Sequence, residues 1–277
     1  MLEPRHLGCY EKRIMKVAIL CGGRGTRFRE VSDVIPKPMA PIGNRPILWH
    51  IMKIYSHYGF NDFVLLLGYK GDYIRNFFLN FASLTNDITI DMAKNGADRI
   101  TFHSQTQEPW RVTCVDTGED AMTGARIFRA RKYLEGEGAF MATYGDGVAN
   151  LDIPALVKFH KAHGKVATLT GAHPPGRFGE LSLKGDNVMK FNEKPDFSFG
   201  GYLNGGFFVF NDAIFDRYLN DRENLILERE PMQGMAADEQ LMIYRHDGYW
   251  HHMDTLYEFD VLNTAWKSGK APWKLWK

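Results

Sequence analysis

The chain has 277 residues, 44% hydrophobic and 24% charged, with a net charge of +1. That length can bury the core of one large α/β domain, with or without a small appendage. A charge this near zero gives no global reason to bind nucleic acid or a membrane surface, so any affinity for anions has to be local. Cys9, Cys21 and Cys114 are scattered without C-x-x-C spacing. This argues against a disulfide framework or a zinc site and for a reducing, cytoplasmic setting. No apolar run approaches the roughly 20 residues of a membrane span. Residues 1–14 show no clear period and no apolar h-region, and read as a loosely packed N-terminal extension.

From residue 15 the pattern becomes regular. Val17 to Leu20 is a short apolar run bounded by glycines, as expected of a buried strand. Gly22, Gly23 and Gly25 follow, and Arg27 and Lys37 add positive charge nearby. A helix is expected from about Pro46, because Ile47, Ile51 and Ile54 recur at three- to four-residue spacing. Asn61-Asp62 marks a turn, Phe63 to Leu67 a second buried strand, and Tyr73 to Phe81 a helix with Ile74, Phe77 and Phe78 inward. Ile88–Asp91 and Arg99–His103 read as short strands around the Asn95-Gly96 turn. A helix over Thr123–Leu134 and a strand over Ala139–Tyr144 come next.

This alternation of strand and helix argues for a mainly parallel, doubly wound sheet. Ligands on such sheets sit beyond the carboxyl ends of the strands, so Gly22–Arg27 and Gly145–Gly147 should share one crevice. Past Ala167, strands at Lys165–Thr170, Leu181–Leu183, Val188–Glu193 and Gly205–Val209 are expected to continue the sheet as a mixed region. The economical organisation is one domain over 15–277 with a C-terminal appendage.

The residues allow two readings of each candidate site. A glycine loop after a strand can cradle a phosphate with its free N–H groups, with Arg27 and Lys37 as counter-charges, or it can be an ordinary turn beside a solvated face. It carries neither the Lys-Ser/Thr of a P-loop nor the spacing of the dinucleotide fingerprint. Asp146, in Tyr144-Gly145-Asp146-Gly147, stands where a carboxylate can meet a metal held against phosphates, or where an aspartate caps a turn. Asp254, in Met253-Asp254-Thr255, is unremarkable alone. Glu193-Lys194 can be a solvated pair or a sugar-phosphate contact. His251-His252 are adjacent on a strand and so point to different faces, which argues against a metal pair.

The pairing of G-G-R-G-T-R-F (22–28) with P-K-P-M (36–39) resembles the signature of the sugar-1-phosphate nucleotidyltransferases. The segment P-K-P-M-A-P-I-G-N-R-P-I-L-W-H-I-M-K is similar to one branch, the enzymes that transfer a cytidylyl group to glucose 1-phosphate, and the likeness runs from Met15 to the C-terminus. The resemblance implies a Rossmann-like mixed sheet of the nucleotide-diphospho-sugar transferase type. It implies CTP and glucose 1-phosphate as partners, Mg²⁺ as cofactor and a homo-oligomer, with neither nucleic acid nor membrane involved. By the same likeness Arg27, Lys37 and Asp146 are catalytic, and Asp146 and Asp254 bind the metal. Nucleotide contacts fall on Leu20, Gly22, Gly23, Gly25, Thr26, Arg27, Lys37, Thr117, Gly118, Thr123, Gly124, Arg126 and Gly145. Sugar-phosphate contacts fall on Gly179, Glu193, Lys194, Asn204 and Gly205. Cys21 and Phe28 depart from the family's usual alanine and leucine. Trp266, Trp273 and Trp276 are expected at a subunit interface, where aromatic side chains are enriched.

Overall fold

A computed structural model of the chain describes residues 15–26, 28, 33–96, 99–104, 107–173, 180–184, 187–192 and 201–277. Seven strands build the central sheet: β1 (Val17–Cys21), β2 (Asp62–Leu67), β3 (Arg111–Asp116), β4 (Ala139–Tyr144), β5 (Ala167–Ala172), β6 (Leu203–Asn211) and β7 (Leu241–His246). Across the sheet the order is β7-β5-β6-β4-β1-β2-β3. Every neighbouring pair is parallel except the two that β6 makes, with β5 and β4. The sheet is therefore mixed and mainly parallel. β1 is buried along its whole length, which suits an unbroken V-A-I-L-C run covered on both faces.

Two apolar cores flank the sheet, and the pleat of β1 divides its side chains between them. Val17, Ile19 and Cys21 join one core with helix α1 (Ile47–His57), while Ala18 and Leu20 join the other. In α1, Ile47, Leu48, Ile51, Met52, Ile54 and Tyr55 form the buried stripe, as the three- to four-residue spacing predicts. Helix α2 (Gly71–Leu79) buries Ile74, but Phe77 and Phe78 remain half-buried rather than inward. The helix expected over 123–134 breaks at Ala130 into α3 (Thr123–Arg129) and a single turn, Arg131–Leu134.

Three of the longer helices among the described residues were not apparent in the sequence. Helix α4 (Ile153–His163) is capped at both ends, by the Asp152 side chain accepting from Ala155 N–H and by Gly164 at φ 64°. Helix α5 (Glu230–Ala237) lies on the face opposite α1, with Met232 and Met235 in the second core. Helix α6 (Leu256–Lys267) starts with a capping box in which Thr255 and Glu258 exchange side-chain and backbone bonds.

Strands Glu180–Lys184 and Asn187–Asn192 do not extend the central sheet. They pair with each other in a separate antiparallel ribbon, and β7 takes the sheet edge instead. The interface reading is corrected for Trp273. Trp273 is 0% exposed within this one chain, in the core with His50 and α1, and Trp266 and Trp276 pack partly buried around it. The C-terminal segment thus closes one face of the sheet. Among the described residues, no helix is long and apolar enough to cross a membrane.

Candidate active site

β1 is flanked by β2 on one side and β4 on the other, so the chain leaves it in opposite directions and opens a crevice at the carboxyl edge. The loops after these strands are stitched together by backbone bonds. Gly145 N–H donates to Leu20 O at 3.1 Å, Tyr69 N–H to Gly22 O at 3.2 Å, and Thr117 N–H to Leu67 O at 3.0 Å. The crevice has a volume of about 320 Å³. Its floor and walls come from the glycine loop, the Lys37 turn, the N-terminus of α3 and the end of β4.

The glycines of the first loop answer different needs. Gly25 has φ 62°, in the left-handed region that favours glycine. At Gly22 an added Cβ would lie 2.2 Å from the Arg126 guanidinium, so here the missing side chain makes room for the protein's own arginine. Gly23 has open space around it and lines the crevice. Its neighbour Arg24 bridges to Glu119 and Asp120, each at 2.9 Å, latching the loop to the one that follows β3.

Arg126 is 4% exposed, and its donors are turned to the chain itself. Nη1 reaches Leu67 O, Thr117 Oγ1 and Gly118 O, and Nη2 reaches Gly22 O and Glu119 O, at 2.7–3.1 Å. These bonds make Arg126 the fastener of three loops. Nearby, Arg129 donates to Asp221 and Thr117 O, and Arg131 pairs with Glu135 and Asp216.

On the other side of the crevice, Lys37 sits in a 3-10 turn held at Lys37–Met39 between two prolines. Its Nζ lies 2.5 Å from Asp146 Oδ2 and 2.5 Å from Asp254 Oδ1, although the aspartates are far apart in sequence. A short antiparallel ribbon, Gly147–Ala149 with Trp250–His252, brings them together, and Met253 N–H donates to Asp146 O at 2.9 Å. Glu258, 1% exposed, then accepts from the backbone N–H groups of Asp254 and Thr255 at 2.6 and 3.0 Å, and lies 3.0 Å from His252 Nε2. Burial works against the charged form of Lys37, but the neighbouring Asp146 and Asp254 outweigh it and raise the pKa above its ordinary value. His251 is buried and His252 half-buried, and their rings stack with centroids 6.0 Å apart rather than diverging to opposite faces.

Cys21 lines the same crevice, and burial raises its thiol far above the ordinary range. It is a packed, protonated side chain rather than a nucleophile.

Of the expected nucleotide contacts, Leu20, Gly22, Gly23, Gly25, Thr26, Lys37, Thr123, Arg126 and Gly145 line this crevice, together with Asp146 and Asp254. Thr117, Gly118 and Gly124 do not line it. Thr117 is buried with its hydroxyl on Leu67 O, Gly118 gives its carbonyl to Arg126, and Gly124 packs under Leu225. Asn204 bonds the Tyr144 hydroxyl beside the crevice, and Gly205 is buried in β6. Arg27, Gly179, Glu193 and Lys194 lie outside the described residues. Tyr144 also lines the crevice, which was not anticipated, and behind the wall its hydroxyl donates to Glu228, a residue in a charged stretch that reads as a plain loop.

A doubly wound sheet with lysine and two carboxylates gathered beside a glycine loop describes a site for transferring phosphoryl-linked groups. Residues 16–255 match the nucleotidyl transferase family, and the chain belongs to it. It is 49% identical to the glucose-1-phosphate cytidylyltransferases of Salmonella typhimurium and Salmonella typhi, over 95% of this chain and 100% of each of theirs. Among solved structures, HddC from Yersinia pseudotuberculosis shares the fold, with a TM-score of 0.64 at 23% identity, over 91% of this chain and 100% of that one.

Proposed function

We propose that this nucleotidyltransferase joins CTP and glucose 1-phosphate to give CDP-glucose and diphosphate. An oxygen of the sugar phosphate attacks the α-phosphorus of CTP, a new P–O bond forms, and the α–β bridging oxygen leaves with the diphosphate. The nucleophile is already an anion, so no side chain has to accept its proton. What the protein must supply is position and positive charge, because two polyanions have to meet.

The observation that carries this reading is the convergence of Lys37, Asp146 and Asp254 at the mouth of the glycine loop, in a chain nearly half identical over its full length to cytidylyltransferases. Lys37 holds the phosphates, and backbone N–H groups of the glycine loop face the remaining oxygens. Arg27 is assigned to the triphosphate, and Glu193 and Lys194 to the sugar phosphate, by resemblance alone. The paired carboxylates fit Mg²⁺ by their chemistry: both are hard oxygen donors brought to within 2.5 Å of one cationic atom. Among the described residues no cluster of three or more acidic, histidine or cysteine ligands occurs, which suits an ion that takes its other positions from phosphate and water. Asp146 and Asp254 would hold it, and when bound it neutralises the triphosphate and steadies the diphosphate leaving group.

The finer assignments rest on other features. Cys21 and Cys114 are free thiols, in keeping with a cytoplasmic setting. Leu79, Leu84, Met92 and Phe102 are exposed apolar side chains, in keeping with a homo-oligomer. The test of the reaction is diphosphate release with glucose 1-phosphate and each of CTP, UTP, dTTP, GTP and ATP in turn. CTP with magnesium is expected to be preferred by kcat/KM, with CDP-glucose as the product. A preference for another nucleotide, or no release with any, would overturn the proposal.

A further inference from the structure

Glu228 lies in the segment that packs on the start of α3, where Gly124 N–H donates to Leu225 O at 2.9 Å. Each of its oxygens takes a hydroxyl from a crevice-lining side chain. Thr123 Oγ1 donates to Oε2 at 2.7 Å, and the Tyr144 hydroxyl donates to Oε1. A carboxylate only accepts, so both hydroxyl protons are committed to it. The other partners agree with that polarity. Leu227 N–H donates to Thr123 Oγ1 at 2.9 Å, and Asn204 Nδ2 donates to the Tyr144 hydroxyl at 3.2 Å. Asn204 is itself oriented, because its Oδ1 accepts from Gly206 N–H at 2.9 Å. The threonine hydroxyl has two lone pairs and keeps one. The Tyr144 phenol oxygen, already accepting from Asn204, accepts a further donor only weakly, and neither hydroxyl has a proton left to give.

We propose that Glu228 is a positioning residue that sets the hydrogen-bond polarity of the crevice, presenting Thr123 and Tyr144 to the substrates as acceptors. This deepens the proposed reaction and rests on it. Cytosine carries an amino donor where uracil carries a carbonyl acceptor, so an acceptor at Thr123 favours the first and repels the second. Thr123 stands at the start of α3, on the wall away from the acid pair, and is assigned to the base. Tyr144 stands two residues before Asp146, next to Asn204, and is assigned to a donor hydroxyl of the sugar.

The test is Glu228→Gln, which keeps the shape but can accept from only one of the two hydroxyls. The other must turn to accept from the new amide NH₂, which frees its proton toward the crevice. If Thr123 is the one that turns, the ratio of kcat/KM for CTP to that for UTP falls by about tenfold or more, the scale of one mismatched polar contact; if Tyr144 turns, the KM for glucose 1-phosphate rises instead. A folded variant with both the wild-type ratio and the wild-type KM would overturn the inference. Should Glu228→Gln fail to fold, Thr123→Val and Tyr144→Phe read the same point separately. Thr123→Val should lower the nucleotide ratio, and Tyr144→Phe should raise the KM for glucose 1-phosphate while leaving that ratio alone. A Thr123→Val enzyme with the wild-type ratio, or a Tyr144→Phe enzyme with the wild-type KM, would count against it. The wild-type arm is read first and by itself tests the underlying reaction.

Discussion

Replacing Lys37 by alanine tests the electrostatic arrangement of the site in two ways at once. In the folded chain one ammonium, 9% exposed, holds two carboxylate oxygens that can lie no more than twice 2.5 Å apart. Without it, two mostly covered negative charges face each other. At a separation of about 5 Å and an effective dielectric near 20, the repulsion is about 3 kcal/mol. For a chain of this size that is a fall of roughly 6–12 °C in the thermal midpoint. Millimolar Mg²⁺ should restore much of it, because a divalent ion can take the place of the missing ammonium, whereas the wild type should gain less. Turnover in the diphosphate-release assay should drop by about a hundredfold or more, the scale of losing one charge-stabilising donor. The sign with pH follows from the raised pKa of Lys37. Its contribution is complete below the ordinary lysine value and is lost only as pH climbs through the higher folded value, so the bridge is constant across neutral pH. A variant with the wild-type midpoint, insensitive to magnesium and fully active, would refute the reasoning.

Two further predictions concern the closed face of the sheet. His50 is buried, and desolvation lowers its pKa from 6.5 to about 4. The unfolded chain therefore binds the proton first, and this residue's share of stability is present above pH 6.5 and lost as pH falls toward 4, about 3 kcal/mol in all. Urea melts of wild type and His50→Asn between pH 4 and 7 should show the acid limb flattened in the variant. An unchanged limb would remove His50 as its cause. Trp273→Ala should cost about 3–5 kcal/mol, as for other wholly buried aromatics. The melt should shift equally at low and high protein concentration, because Trp273 is packed within a single chain. A shift that appears only on dilution would reinstate the subunit interface.

The parts of this fold that were legible are those whose physics is local. β1 and its glycine loop could be read because a fully buried parallel strand has to be a continuous apolar run, and the loop after it has to spare its side chains. The same holds for α1, whose buried stripe repeats at helical spacing. Helix α4 escaped notice although its caps, Asp152 and Gly164, are written in the sequence. Its interior mixes His160, Lys161 and His163 with the apolar positions, which blurs the period. The separate ribbon over 180–192 could not be told from a continuation of the sheet, because pairing partners are chosen by tertiary contact. Lys37, Asp146 and Asp254 could be singled out by resemblance, but nothing in their neighbourhoods says that one ammonium bridges both acids. Glu228 carried no signal, since its meaning lies with Tyr144 and Thr123, 84 and 105 positions away in the chain.

The ribbon that pairs Gly147–Ala149 with Trp250–His252 has a bearing on biosynthesis. Asp146 leaves the ribosome with the first half of the sheet, but its companion arrives only with the final turn of the polypeptide. A nascent chain can therefore wrap its glycine loop and much of its β-structure while still chemically inert. On the proposed roles of the two acids, competence comes in one late step, when the tail docks and brings the second acid beside the first, leaving an unfinished copy without that centre.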